Sequence, residues 1–238
     1  MPTLIVNEWT KLRTIRGPWL ILAIQQAVIV AGVSGLAVAG ADQRGLLAHA
    51  GVASAILSLV LGITAVAGEY RHRSITDTYL ATPARTPVII AKLVAYTVAG
   101  AALGVVSVAT GLITTAVWTG ARNGTLDLAA VQAWRIFVGI VAINAAYAAI
   151  GVSIGALIRN LAAAITVALV WIALVETTVA NLLGDLGRWL PNRAGMAVDF
   201  MPAVAPLLPQ WGAALVLAGY TAVFVVAALT TTVRRDVT

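Results

Sequence analysis

Apolar residues gather in six long runs along this chain, roughly 18–40, 46–67, 88–119, 133–158, 161–183 and 210–233. Crossing the core of a bilayer takes about 20 mostly apolar residues in a helix. Each run meets that length, so the pattern predicts six transmembrane helices. Polar residues explain the breaks. Asp42-Gln43-Arg44-Gly45 separates the first two runs, and Arg122, Asn123 and Asp127 interrupt the chain after the third. Arg159-Asn160 makes the tightest turn, and 184–209 holds four prolines. The first run is long enough to be a retained span and lacks a convincing cleavage context, so no signal peptide is expected.

Three segments are more than connections. In 2–16, Leu4, Ile5, Trp9, Leu12 and Ile15 recur near helical spacing, with Asn7, Glu8, Lys11 and Thr14 largely opposite. That spacing predicts an amphipathic helix lying in the membrane interface before Pro18 opens the first span; the plainer alternative is a partly ordered tail. The segment 68–87 spends about twenty residues where a simple helix connection needs about 2–8. Ser74 and Asp77 match a capping-box spacing, so a short helix is expected there, ending before Pro83. Thr86-Pro87 then reads as the cap and first turn of the third span. A solvated basic loop that only enforces orientation is the alternative. In 184–209, Leu186, Trp189, Leu190, Met196, Val198, Phe200, Met201 and Val204 give an amphiphilic stretch. Irregular backbone is not tolerated against lipid at membrane depth, so short helices on that face are expected, broken at the prolines.

Charge sets the orientation. With both termini inside, ten of the fifteen Lys and Arg residues fall on the inner side, among them Lys11, Arg13, Arg16, Arg71, Arg73, Arg85, Lys92 and Arg159. Positive residues in short loops mark the cytoplasmic face. The inner side nets +6, the outer side nets zero, and the whole excess can meet anionic lipid or a protein partner. Trp9 and Trp19 fall at the inner boundary and Trp118, Trp134, Trp189 and Trp211 at the outer one, where indole rings are favoured. Only Trp171 lies well inside a span.

Composition removes other classes. The 238 residues are 61% hydrophobic and 10% charged, against about 45–50% and about 25% in soluble domains. A soluble enzyme, a nucleic-acid-binding module and a disordered chain are excluded together. No cysteine is present and only His49 and His72 are histidines, so disulfides, thiol catalysis and a His-rich metal site are excluded. No P-loop and no HExxH occurs, so the chain does not itself bind ATP in the P-loop manner.

Charges within spans are costly and usually functional. Glu176, in the fifth span and nearer its outer end, is a candidate to line a path and hold a cationic substrate. It is equally a candidate structural carboxyl bonded to another helix or to the outer loop. Gln25 and Asn144 are weaker path candidates that also suit interhelical hydrogen bonding, as does Gln26. Trp171 completes the set. Glu69, beside Arg71 and Arg73, reads as one half of an ion-pair latch or as a helix terminator. The pairs Ala31/Gly35, Gly100/Gly104 and Gly151/Gly155 permit close helix contact, more simply within the chain than between chains. Gly32-Val33-Ser34-Gly35 matches a rhomboid-protease pattern with His49 nearby, a short match in glycine-rich sequence. A proton-coupled secondary transporter using Glu176 is a further alternative, though no inverted repeat relates 1–120 to 121–238.

Asn7-Glu8-Trp9-Thr10-Lys11-Leu12-Arg13-Thr14 resembles the N-terminal helix of bacterial type-2 ABC exporter permeases. Gly68-Glu69-Tyr70-Arg71-His72-Arg73-Ser74-Ile75, continuing through Ala81-Thr82-Pro83 to Ala91-Lys92-Leu93, is similar to their loop after the second span, and Arg234-Arg235-Asp236 fits their close. Many relatives read Gly-Thr where this chain has Arg73-Ser74. The resemblance implies an all-α, six-span permease of the bacterial cytoplasmic membrane, a single domain over 1–238. A second copy or a homologous permease would pair with it, and two cytoplasmic ATPase subunits would bind ATP and Mg. The chain itself would hold no cofactor or metal and no catalytic residue, and would meet membrane lipid but no nucleic acid. ATPase coupling would fall to Glu69, Tyr70, Arg71, Ser74, Ile75, Asp77, Thr78, Tyr79 and Leu80. The interfacial helix, through Glu8, Trp9, Lys11, Leu12 and Arg13, would assist. A path lined by spans 2 and 5 would carry a drug, lipid or antimicrobial peptide outward.

Overall fold

The computed structural model describes residues 2–71, 85–129, 131–200 and 207–234. A short helix α1 (Pro2–Thr14) is followed by α2 (Arg16–Val38), α3 (Gln43–Arg71), α4 (Arg85–Ala121) and α5 (Ala133–Leu157). The fifth run is composite: α6 (Leu161–Val170), a π-helical turn (Trp171–Glu176), α7 (Thr177–Leu183) and a 3-10 turn (Gly184–Trp189). Then come α8 (Pro191–Val198) and α9 (Gln210–Arg234). Six helices are long and apolar enough to cross a membrane, and no strand occurs among the described residues. The chain is a multi-pass helical membrane protein.

The core is a tight pair, α3 and α5, with α4 against both and the rest around them. Glycine makes that pairing possible. A side chain at Gly62 would strike the Ala148 carbonyl, and one at Gly151 would strike the Leu59 carbonyl, so the two backbones touch. With no hydrophobic drive between helices in lipid, such backbone proximity and its dispersion contacts supply the association. Gly100 and Gly104 play the same part between α4 and α5, facing Asn144 and Val141. Gly35 meets nothing within 4 Å.

Polar side chains fix the registers. Asn144 donates to Ser54 Oγ at 2.8 Å and to the Ile140 carbonyl, and its Oδ1 accepts from Ser58 at 2.6 Å. This locks α3 to α5 with the amide satisfied at both ends. A second set ties α2 to α4: Gln25 donates to Ser107 at 2.6 Å, Thr110 to Gln26 at 2.6 Å, and the Trp118 indole to Ser34 at 2.9 Å. Arg122 closes it on the Ala37 carbonyl. Partner numbers rise together from α2 to α4 in this second set, and from α3 to α5 in the contacts Gly51/Ile140, Leu59/Gly151 and Ile63/Gly155, so α2 runs parallel to α4 and α3 parallel to α5. The chain therefore alternates direction. The N-terminus, the ends of the 72–84 segment and the Arg159-Asn160 turn share one end of the bundle, while 39–42, 122–132 and 184–200 share the other. In the turn, Asn160 caps α6 by accepting from Ala163 at 3.0 Å. The peripheral helices α2, α6 and α9 leave Leu20, Val167 and Val223 exposed, an apolar rim suited to lipid.

Several boundaries differ from the sequence expectation. Residues 68–71, expected in a loop, form the last turn of α3, because Glu69 has buried partners. Helix α4 already runs at Arg85, so Thr86 is not its cap, and Pro87 sits in the first turn where its missing N–H costs nothing. Helix α1 ends at Thr14, and Ile15 is an extended hinge before α2. Its buried positions are Glu8 and Leu12, while Val6 and Ile15 are exposed, so a residue assigned to the polar side faces the bundle. The expected helix at Ser74–Leu80 lies outside the described residues.

Gly151→Leu should separate α3 from α5, whereas Gly35→Leu should be tolerated. Overpacking a tight core costs about 1–3 kcal/mol, and more where backbone is the obstacle. Thermal denaturation in mild detergent should show a large drop, or loss of folded protein, for the first variant only.

Candidate functional site

Four charges meet where α1, α3 and α4 converge. Lys92, in the second turn of α4, is 0% exposed. Its Nζ donates to Glu69 Oε1 at 2.7 Å, Glu8 Oε2 at 3.0 Å and the Ala65 carbonyl at 3.0 Å. Lys11 Nζ donates to the same Glu69 Oε1 at 2.7 Å and to Glu8 Oε1 at 2.8 Å. Both lysines of the chain and two carboxylates thus form a closed, neutral cluster in which each cation bridges both anions. A buried charge must be paired and hydrogen-bonded to be tolerated. Lys92 meets that demand completely, with three acceptors for its three protons. Burial alone would lower the Lys11 value, but the hydrogen bonds and charges of Glu69 and Glu8 outweigh it and raise it above the ordinary 10.5. Lys11 therefore stays charged, and its pairing stabilises the fold, until the pH climbs past the ordinary lysine range.

The cluster brackets the 72–84 segment: Glu69 stands three residues before it, at the end of α3, and Lys92 eight residues after it, on α4. Leu12 and Trp9 of α1 pack beside them against Leu61, Val66, Ile89 and Tyr96. Around the rim, Arg159 lies over the Tyr70 ring at 5.4 Å, joining the α5–α6 turn to the end of α3. Arg13 and Arg71 point outward, and the Arg13 carbonyl accepts from Trp19 at 3.1 Å. Glu8, Lys11 and Glu69 were singled out from sequence for separate roles, and the structure joins them. Lys92 was read as an inner-side charge and as part of the Ala91-Lys92-Leu93 stretch of the resemblance, with no site role of its own. A carboxylate in α1 and one after span 2, matched by a lysine one turn into span 3, was the available signal. Ser74, Ile75, Asp77, Thr78, Tyr79 and Leu80 lie outside the described residues.

The second feature is a cleft of about 340 Å³ between α5, α6 with its π turn, and α9, lined by Leu59, Tyr147, Ile154, Trp171, Glu176 and Phe224 among others. Glu176 is 1% exposed. Its Oε1 accepts from the backbone N–H groups of Asn192 and Arg193, the latter at 3.3 Å, at the start of α8. A carboxylate there satisfies orphan donors and meets the positive end of the helix dipole. Its Oε2 is buried with no partner. The cap is supported by Gly184 at φ +54, where the chain reverses after α7 in a conformation L side chains rarely adopt. The π turn has its own repair, the Thr177 hydroxyl donating to the Ile172 carbonyl at 3.4 Å. Trp171 is 48% exposed along the cleft wall. Gln25 and Asn144 are buried in the helix contacts described above and do not line this cleft.

Asp199, just past α8 and 0% exposed, is a buried acid the sequence reading counted only as an outer-loop charge. It sits where any side chain at Gly51 would fall, so the 184–200 segment dips into the bundle beside α3. Ser34 accepts from the Trp118 indole, and His49 packs against Gly32 without a hydrogen bond to Ser34. That pair lacks the nucleophile–base contact acyl transfer requires. Among the described residues, no group of three His, Asp or Glu side chains is placed to hold a metal.

The fold and its polar features define a helical, multi-pass membrane protein with a buried ionic cluster and a lateral cleft among the described residues. No protein-family model matches the chain, and no curated protein matches it.

Removing one partner of a buried ion pair costs about 3–5 kcal/mol, because the survivors keep their desolvation cost. Lys92→Met should therefore destabilise the bundle strongly, leaving two carboxylates to share Lys11. Adding Glu69→Gln should recover part of the loss, so the double variant is more stable than the sum of the singles. Chemical denaturation of the four-member cycle measures this; additive losses would mean the charges are not coupled.

Proposed function

We propose that this chain is the membrane permease subunit of an ATP-driven exporter of the type-2 ABC class, working as a dimer with separate cytoplasmic ATPase subunits. The observation that carries the proposal is the four-charge cluster, which binds α1 to both edges of the 72–84 segment. In this reading the N-terminus and the 72–84 segment face the cytoplasm, where the sequence concentrates basic residues. The segment around Ser74–Leu80 docks against an ATPase subunit. Any push on it passes to α3 and α4 together, since Glu69 and Lys92 hold those helices to each other and to α1. Coupling demands such a shared joint, because a segment tied to only one helix would bend rather than transmit. The substrate moves outward past the cleft beside the fifth span, and the 184–200 segment, held to that span by Glu176, covers the outer end. The membrane is the bacterial cytoplasmic membrane.

A stand-alone proton-coupled transporter would need Glu176 to load and unload protons from both sides. Its Oε1 is committed to the start of α8, which favours a holding role over a shuttling one.

Purified from its host in mild detergent, the tagged chain should bring along a near-stoichiometric protein with a P-loop. Absence of such a partner from an otherwise intact preparation would remove the exporter assignment. Asp77→Lys with Tyr79→Ala should abolish substrate-stimulated ATP hydrolysis while the permease stays folded. Normal transport by the double variant would place coupling elsewhere.

Orientation has its own check. A cysteine introduced at Asp127 should react with an impermeant maleimide added to intact cells, and one at Asp77 should react only after permeabilisation. The reverse pattern would invert the topology.

A further inference from the structure

The cleft beside the fifth span carries chemistry more specific than an apolar groove. Its lining is aliphatic and aromatic with a single ionisable carboxyl, Glu176, whose Oε2 is fully buried and accepts no hydrogen bond. A buried acceptor left unmade is costly, so this oxygen calls for a donor that arrives with a ligand. Three aromatic rings, Tyr147, Trp171 and Phe224, line the same space. No basic side chain does. Arg193, on the helix that Glu176 caps, turns its guanidinium to Asn181 at 3.5 Å instead.

An acid with aromatic walls is the combination that recognises an organic ammonium, through charge on one side and ring quadrupoles on the others. We infer that the cleft binds a lipophilic organic cation, an apolar body carrying one ammonium whose N–H reaches Glu176 Oε2. The volume of about 340 Å³ falls within the range of about 300–1,000 Å³ of clefts that hold drug-sized ligands. A phospholipid amine fits poorly, because the phosphate beside its ammonium would meet no positive group in the lining. A neutral alcohol would satisfy the oxygen but gain nothing from the rings.

The inference deepens the exporter proposal by naming its substrate class. Binding to the permease alone requires no ATPase, so its outcome is separable from whether an ATPase partner exists. The probes are 1-pyrenemethylamine and 1-pyrenemethanol, which share an apolar body and differ only in the head group. The chain is placed in phosphatidylcholine nanodiscs, and binding to protein-free discs is subtracted. The wild type should bind the amine about tenfold or more tighter than the alcohol. Glu176→Gln should bring the two affinities together, while its amide oxygen still accepts from Asn192 and Arg193 and keeps α8 capped. Trp171→Ala, at a half-exposed position where folding is not at stake, should weaken the amine more than the alcohol. Equal binding of amine and alcohol by the wild type would overturn the inference, as would an amine preference that survives Glu176→Gln. Loss of amine binding in discs containing phosphatidylethanolamine would also overturn it, by making the occupant a lipid.

Discussion

Burying an ammonium group among apolar helices is the constraint around which one end of this molecule is organised. Lys92 has no exposed surface, and an unpaired cation there would not be tolerated. The fold answers by bringing Glu8 from one helix and Glu69 from another to the same point, with Lys11 balancing the second carboxylate. Once the four charges are closed on one another, α1 cannot leave the bundle without exposing or orphaning at least one of them. The ionic cluster thus does for α1, α3 and α4 what backbone contact through glycine does for α3 and α5. One joint is electrostatic and placed at the end where the 72–84 segment leaves and returns. The other is steric and runs through the centre.

Gross architecture was readable from the sequence because length and apolarity alone decide which helices can span. All six predicted runs coincide with helices, and the glycine pairs at 100/104 and 151/155 lie at internal contacts. Ends were less legible, for a physical reason. Glu69, Tyr70 and Arg71 read as loop because charges usually stop a membrane helix, yet here the charge is neutralised by partners from distant segments. The same logic misplaced Glu8. A helical-wheel argument sends every charge to water, and it fails when another helix brings a counter-charge. Nothing local to residues 2–14 announces Lys92.

Glu176 illustrates the complementary difficulty. The sequence marked it as an unusual acid and left it between a structural bond and a substrate contact. Its two oxygens differ accordingly: one holds the start of α8, and the other is buried without a partner. A single letter in a sequence cannot express that division, because it depends on the direction from which α8 approaches. Asp199 was hidden likewise, since burial came from the 184–200 segment folding back onto Gly51.

Glu176 and Trp171 share the cleft because of the irregular turn between them. In a regular α-helix of 3.6 residues per turn, positions five apart point to different faces. A π turn closes its hydrogen bonds over five residues and brings such positions nearly into line, at the expense of a poorer backbone bond. Here the wide turn spans Trp171–Glu176, and the Thr177 hydroxyl supports the loosened Ile172 carbonyl. Tightening the turn to α-helical geometry would swing the indole and the carboxylate apart, and would draw Glu176 from the start of α8. The state of this one turn therefore links the composition of the cleft to the position of the 184–200 segment that Glu176 holds. Any motion of the fifth span that rewinds the turn would alter both together.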